Sequence, residues 1–206
     1  MKIDIIDIGF GNINSVKNWL DQLELEATRV THAENLTSEL CVLPGVGSAG
    51  PYMDRLDALG FTEAIKHHVL KGRRLLGICL GFQILFDHSD EDGGIKLLSI
   101  LRGKVEKIDG NQNHNGWENL NIAVNSFKFK GYWGRGNHSS KQFLRGRAFY
   151  NHEYAVTNND QFDYSTPLSS NLSKYTGFLI KDNVAGVQFH PEKSQVFGIN
   201  FIKGLL

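Results

Sequence analysis

The stretch Gly77-Ile78-Cys79-Leu80-Gly81 sets a cysteine between two glycines at the end of an apolar run, Leu75, Leu76 and Ile78. It is the thiol counterpart of the nucleophile elbow, a sharp turn from strand into helix. A nucleophile on such a turn sits on strained backbone, and only residues without a Cβ let neighbouring chain pass close by. The apolar positions Leu80, Ile84 and Leu85 predict a helix after the turn. Cys79 would then stand at a helix N-terminus, where the dipole favours a thiolate. A buried core cysteine with incidental glycines is the alternative, and only distant residues decide between them.

The rest of the chain predicts a setting for that turn. The 206 residues suit one α/β domain, 1–206, with a substantial core. Strands are expected over 2–8, 25–31 and 40–44, and helices over 13–23 and 52–70, the latter broken at Gly60. Asn35 or Thr37 is placed to cap a short helix. The first half therefore reads as βα repeats on a parallel sheet. Beyond Ile95 come shorter runs, 104–108, 120–124, 148–154, 175–181 and 184–189, with a hairpin turn at Asp182-Asn183 and a last helix over 195–205. They add antiparallel strands. The segment 158–173 reads as an exposed loop, and the acidic stretch 87–94 as a solvated turn.

Two glycine-rich loops follow strands. Gly9-Phe10-Gly11-Asn12 lacks the third glycine of a dinucleotide fingerprint and reads as a tight βα turn. Pro44-Gly45-Val46-Gly47-Ser48-Ala49-Gly50 lies at a strand's C-terminal end, the edge where open α/β sheets bind ligands.

Composition excludes several classes. Basic and acidic residues balance at 22 each, so no global field points to nucleic acid or membranes. No run approaches the ~20 apolar residues of a membrane span, and the N-terminus has no signal-peptide pattern. Two cysteines make no disulfide framework, and Cys41 reads as inert core. These features point to the cytoplasm. The eight histidines are scattered and call for no metal or cofactor.

The elbow's partners stand in Gly186-Val187-Gln188-Phe189-His190-Pro191-Glu192-Lys193-Ser194. Val187 and Phe189 alternate with polar positions, as in a strand running to its end. His190 and Glu192 lie two apart, and in extended chain both side chains face one side. A carboxylate there orients the imidazole, which takes the thiol's proton. Cys79, His190 and Glu192 thus form a candidate triad, whereas His-Pro-Glu alone would read as a surface turn.

With these pieces in order the chain resembles the class I, triad-type glutamine amidotransferases, and within them the glutaminase subunits of imidazole glycerol phosphate synthase. The resemblance rests on Gly11-Asn12-Ile13-Asn14-Ser15-Val16, Leu43 to Ser48, Gly77 to Phe86, Gly116-Trp117 and Gly186 to Ser194. It implies a flavodoxin-like α/β domain with a central, mainly parallel sheet. It also implies that Cys79 attacks L-glutamine to form a γ-glutamyl thioester, His190 moves protons and Glu192 positions His190. Val46, Gly47 and Leu80 would supply oxyanion N–H groups. Gly45, Gln83, His152 and Tyr154 would serve the substrate, His152 alternatively as a structural hydrogen-bonding residue. Asn12, Trp117 and Lys193 would face a separate synthase chain of (β/α)₈ type, forming a heterodimer that channels ammonia.

Some positions depart from the family pattern. Asn113-His114-Asn115 replaces Pro-His-Met, Glu153 replaces a small hydroxyl residue, and the chain between Trp117 and His152 is longer. Segment 125–147 interleaves six basic residues with aromatics and holds no acid. It reads as a solvated hairpin, a docking patch or, least supported, a single-strand nucleic-acid surface. These departures keep a paralogous reading open, ammonia supply for an amidino sugar of surface polysaccharide. Outside the ammonia-supplying class, a stand-alone γ-glutamyl cysteine hydrolase and a binding subunit with an idle triad are the alternatives.

Overall fold

The computed structural model describes residues 1–111, 113–123, 132–133 and 143–206. Five strands are parallel neighbours: β1 (Lys2–Ile6), β2 (Glu26–Val30), β3 (Leu40–Gly45), β4 (Arg74–Cys79) and, from the other end of the chain, Val184–Val187. Strands β3 and β4 are buried at every position. This is why Leu40-Cys41-Val42-Leu43 and Leu75-Leu76 read as unbroken apolar runs rather than alternating ones.

Helices cover both faces. α1 (Ile13–Asp21) buries Val16, Trp19 and Leu20 on one face, beside the C-terminal helix Gln195–Leu205. α2 (Ala49–Ala58) and α3 (Phe61–Leu70) cover the other, burying Tyr52, Leu56, Phe61 and Ile65. The break between them falls at Gly60, whose φ of +73° glycine adopts without steric cost. No α-helix follows Asn35 or Thr37. A 3₁₀ turn covers Ala33–Asn35, and the Thr37 and Ser38 N–H groups instead donate to Asp4 on β1, each at 2.8 Å.

After α4 (Leu80–Gln83) the chain builds smaller sheets. β5 (His88–Ser89), β6 (Ile95–Lys96), β7 (Lys104–Lys107) and β10 (Tyr154–Val156) make a four-stranded sheet in the order β10-β7-β5-β6. β8 (His114–Ala123) and β9 (Phe143–His152) pair over ten residues as a long antiparallel ribbon. The sequence predicts only the later part of each run, 120–124 and 148–154, as strand. β11 (Tyr164–Pro167) and β12 (Thr176–Lys181) then extend the main sheet antiparallel to β13 (Val184–Val187), giving β11-β12-β13-β4-β3-β1-β2. Segment 158–173 is therefore more than a loop: Tyr164-Ser165-Thr166-Pro167 forms the sheet edge, where a proline costs no ladder bond. α5 (Gln195–Leu205) closes the chain. Among the described residues no helix is long and apolar enough to cross a membrane.

Most of segment 125–147 lies outside the described residues, and with it Lys128, Lys130, Arg135 and Lys141. Within the described part, Trp133 is buried. Its indole N–H donates to the Asp182 carbonyl at 3.0 Å, and the Arg74 guanidinium lies 5.6 Å from its ring centre. The segment thus reaches the end of β4 opposite Cys79, and at that point it is not a solvated hairpin.

Candidate active site

Cys79 ends β4 with φ +54° and ψ −112°. A non-glycine residue in so sparsely populated a region costs about 1–3 kcal/mol, and persists only where its surroundings over-determine it. Two glycines do so. A Cβ on Gly77 would come within 2.7 Å of the Gly81 oxygen and the Phe82 Cα, and one on Gly81 would overlap the Leu43 carbonyl of β3. The turn is wedged against its neighbouring strand.

The helix after the turn is shorter than the apolar spacing predicts. It is a single turn, Leu80–Gln83, closed by the Ile84 N–H on the Leu80 carbonyl. Leu85 and Phe86 already bond three residues back. One turn aligns few peptide dipoles, so the sulfur depends on the groups packed around it.

His190 follows β13. Its N–H donates to the Phe149 carbonyl at 2.8 Å, an isolated bridge between the ribbon and the main sheet. The Ser194 hydroxyl donates to the His190 carbonyl at 2.6 Å and accepts from the Phe149 N–H at 3.1 Å. Glu192 meets His190 by a different route from the extended chain expected. Residues 191–193 form a 3₁₀ turn, and this curls Glu192 back so that its Oε1 lies 2.7 Å from His190 Nδ1. Both side chains are almost wholly buried, at 4% and 1% exposure. Nδ1–H donates to the carboxylate, so Nε2 is left for the sulfur. Burial pushes His190 down, but its interactions with Cys79 first and Glu192 next outweigh it, and His190 is pushed up to about 10.

Above the sulfur opens a cavity of about 330 Å³. Cys79, His190, Val46, Gly47, Leu80, Gln83, His152, Tyr154 and Lys193 line it, together with Glu91, Asn113, Asn151 and Glu153. Glu192 stands behind His190. Gly45 is buried beneath the cavity, opposite Cys79 in the β3–β4 register, and does not line it. The residues assigned to a partner are more dispersed. Lys193 sits at the cavity rim with its ammonium 5.4 Å from the Phe149 ring centre. Trp117 is exposed, stacked edge-on against Phe149 and under Arg147, and borders a second cavity with Val196 and Asn200. Asn12 opens a third, with Asp7 and Arg29, at the start of α1.

His152 has a structural partner on each side. Its Nδ1–H donates to the Tyr154 carbonyl at 2.8 Å, and its Nε2 lies 2.9 Å from His114 Nδ1. The Tyr154 carbonyl also accepts from Gln83 Nε2 at 2.6 Å, so Gln83 and His152 together hold the turn into β10.

The acidic stretch 87–94 corrects the expectation of a solvated turn. Asp92 accepts from the Ser48 hydroxyl and from the Gly50 N–H, and Glu91 accepts from the Ala49 N–H at 3.1 Å. These acids cap the first turn of α2, as carboxylates favour helix N-termini, and so hold the far end of the Gly45–Gly50 loop. The Ser48 hydroxyl and then the Gly50 N–H hold Asp92 below its usual range. Burial raises Glu91, which also faces the cavity. Composition hid these roles, because a run of acids beside glycines looks the same whether it meets water or a helix end. Gln188 was missed too. It is fully buried with Nε2 3.7 Å from Cys79 Sγ. Its signal was present, since it stands two residues before His190 on an alternating strand.

The arrangement sets a cysteine and a histidine on the wall of one polar cavity, with a buried carboxylate behind the histidine. Comparison with known proteins places the whole chain. The family described as Glutamine amidotransferase class-I matches residues 4–200. The imidazole glycerol phosphate synthase subunit HisH of Oceanobacillus iheyensis is 35% identical, over 98% of this chain and 96% of its own. The corresponding subunit of Caldanaerobacter subterraneus is also 35% identical, over 98% and 95%. Imidazole glycerol phosphate synthase hisHF, chloroplastic, of Arabidopsis thaliana is 30% identical over 99% of this chain, which spans 34% of that longer protein. Among solved structures, a crystal structure of a glutamine amidotransferase superposes with a TM-score of 0.71 at 16% identity, over 98% of this chain and 96% of that one. That degree of identity speaks for the fold alone. On sequence match, relatives and architecture together, the chain belongs to the class-I glutamine amidotransferase family.

Proposed function

We propose that this protein is the glutaminase subunit of an imidazole glycerol phosphate synthase, releasing ammonia from L-glutamine for a separate synthase subunit in histidine biosynthesis. The observation that carries the reading is the buried His190–Glu192 pair beside Cys79 in one polar cavity. The names of the relatives supply the pathway.

The chemistry follows from the geometry. The Cys79 thiolate adds to the side-chain carbonyl of glutamine, and negative charge develops on that oxygen. Leu80 and the Val46–Gly47 segment border the sulfur, and their N–H groups are the candidate donors for it. One such donor is worth ~10²–10³ in rate. His190 gives its proton to the departing amine, ammonia leaves, and a γ-glutamyl thioester remains. Water then attacks the thioester as His190 takes its proton, and glutamate and the thiolate are restored. Glu192 keeps His190 in the tautomer that presents Nε2 to the sulfur throughout. Glu91 and Glu153 also line the cavity, and their carboxyl groups suit the ammonium of an amino-acid substrate.

Trp117 and Lys193 lie on the face joining the ribbon to α5 and the 191–193 turn, which α1 adjoins. We assign this face to the synthase subunit, a (β/α)₈ barrel enzyme. The test incubates the purified chain with glutamine, alone and with the candidate synthase, and measures glutamate. Release that requires Cys79 and increases with the candidate synthase supports the proposal. No release under either condition, with Cys79→Ala equal to wild type, refutes it. Stimulation by an amidino-sugar synthase instead would move the acceptor to polysaccharide synthesis.

A further inference from the structure

Four groups form a chain of hydrogen bonds beneath the cavity, and its direction is fixed at one end. The Tyr154 carbonyl can only accept. The Gln83 group 2.6 Å from it is therefore the amide nitrogen. That same nitrogen lies 2.9 Å from the Gln188 side chain, which must present its oxygen to receive the second N–H. Gln188 then has its own nitrogen on the other side, 3.7 Å from Cys79 Sγ. Turning Gln83 round would set its oxygen against the Tyr154 carbonyl, two acceptors, and turning Gln188 alone would set two donors against each other. Gln188 is fully buried and Gln83 nearly so, so water cannot make up a broken link.

The sulfur has an acceptor as well as a donor beside it. The Asn151 carbonyl lies 4.0 Å from Sγ, and a protonated thiol donates to it. A thiolate cannot, whereas the Gln188 N–H is satisfied only by an electron-rich sulfur. From this directed chain we infer that Gln188 is a positioning residue for the nucleophile: its amide N–H holds the Cys79 sulfur as an acceptor turned toward His190, and Gln83 and the Tyr154 carbonyl set the direction of that amide. The inference deepens the glutaminase reading and rests on it for its catalytic meaning. A second consequence concerns Gln83, which orients the thiol through Gln188 in addition to bordering the substrate cavity.

The experiment separates the two readings by using a reagent other than glutamine. Alkylation by iodoacetamide reports the reactive sulfur directly, with the label located at Cys79 by peptide mass. Two variants are compared with wild type. Gln188→Glu keeps an oxygen for Gln83 and replaces the donor by a carboxylate. Gln188→Met has similar length and no donor. A hydrogen bond to a charged group supports an expected slowing of alkylation by about 10-fold or more in both variants. The glutamine kcat should fall in parallel, with KM within about twofold, since uniform binding is not what the bond supplies. Alkylation of Gln188→Met within about twofold of wild type, in protein that melts cooperatively, would overturn the inference. Slowed alkylation in a chain whose wild type hydrolyses no glutamine would uphold Gln188 and remove the glutaminase reading. Should neither variant fold, the Gln188 side-chain amide protons are compared by NMR in wild type and Cys79→Ala. A downfield proton present only with the sulfur supports the inference, and coincident signals overturn it.

Discussion

His114 Nδ1 lies 2.9 Å from His152 Nε2, and the pair is directional. The Tyr154 carbonyl takes the proton on His152 Nδ1, so the His152 Nε2 is bare and accepts from His114. Burial pushes His152 down to about 3, with the charges of His114 and His190 adding to it, and burial lowers His114 as well. Both rings are neutral in the folded protein near neutral pH. The stability they contribute is therefore fully present above the ordinary histidine range, and is lost as pH falls from there toward about 3, where the unfolded chain binds the extra protons. Urea midpoints measured across that window should fall steeply for wild type. His152→Gln, which takes up no proton, should start lower and show a flatter profile.

His190 is displaced in the opposite direction, and Cys79 is the first of the groups that raise it. Removing the sulfur leaves burial opposed by Glu192 alone. In Cys79→Ala the His190 ring should titrate well below 10, observed by its ring-carbon proton in NMR. An unchanged midpoint would mean that Glu192 accounts for the displacement and that thiolate and imidazolium do not form a pair.

Asp92 tests the link between the acidic turn and the loop bordering the sulfur. In Asp92→Ala the Ser48 hydroxyl and the Gly50 N–H lose their shared acceptor. Loss of a helix cap costs about 1 kcal/mol of stability, readable in urea. If the Val46–Gly47 segment supplies an oxyanion donor, kcat should fall by at least about tenfold while KM changes little. A stability loss with unaltered kcat would separate the cap from catalysis.

Gly81→Ala puts a methyl group into the Leu43 carbonyl. Backbone on both sides leaves it no flexible side chain to displace. We expect destabilisation of at least about 3 kcal/mol, or failure to fold, measured by thermal melting. Gly93→Ala meets nothing within 4 Å of its added Cβ, and although its φ of +84° carries a modest conformational cost, it serves as the milder control.

The parallel half of the fold was legible because buried strands such as Leu40–Leu43 and Leu75–Ile78 declare themselves by composition, and because Gly60 marks its helix break. The cysteine and the His-Pro-Glu sequence were legible because each is a local pattern with a chemical reason. What the sequence did not disclose depends on chain folding back from afar. Residues 114–119 are mostly polar and become strand by pairing with 147–152 of the facing run, as 143–147 do by pairing with 119–123. Tyr164–Pro167 becomes a strand because β12 offers an edge. Glu91 and Asp92 acquire meaning only when the start of α2 lies opposite them, and Glu192 reaches His190 through a 3₁₀ turn that the spacing of two read as extended chain.

The contact of Gly81 on the Leu43 carbonyl bears on how a chain of this kind evolves. It joins the thiol turn to the strand that delivers Pro44–Gly47, so the two behave as one heritable unit. A mutation that lifts either by the width of a methyl group disturbs both at once, and no single-step path improves one at the other's expense. Exposed positions such as Trp117, Phe143 and Val196 carry no such restraint. Lineages can therefore re-tailor the outer face to new associates while the junction beneath Cys79 is passed on unchanged.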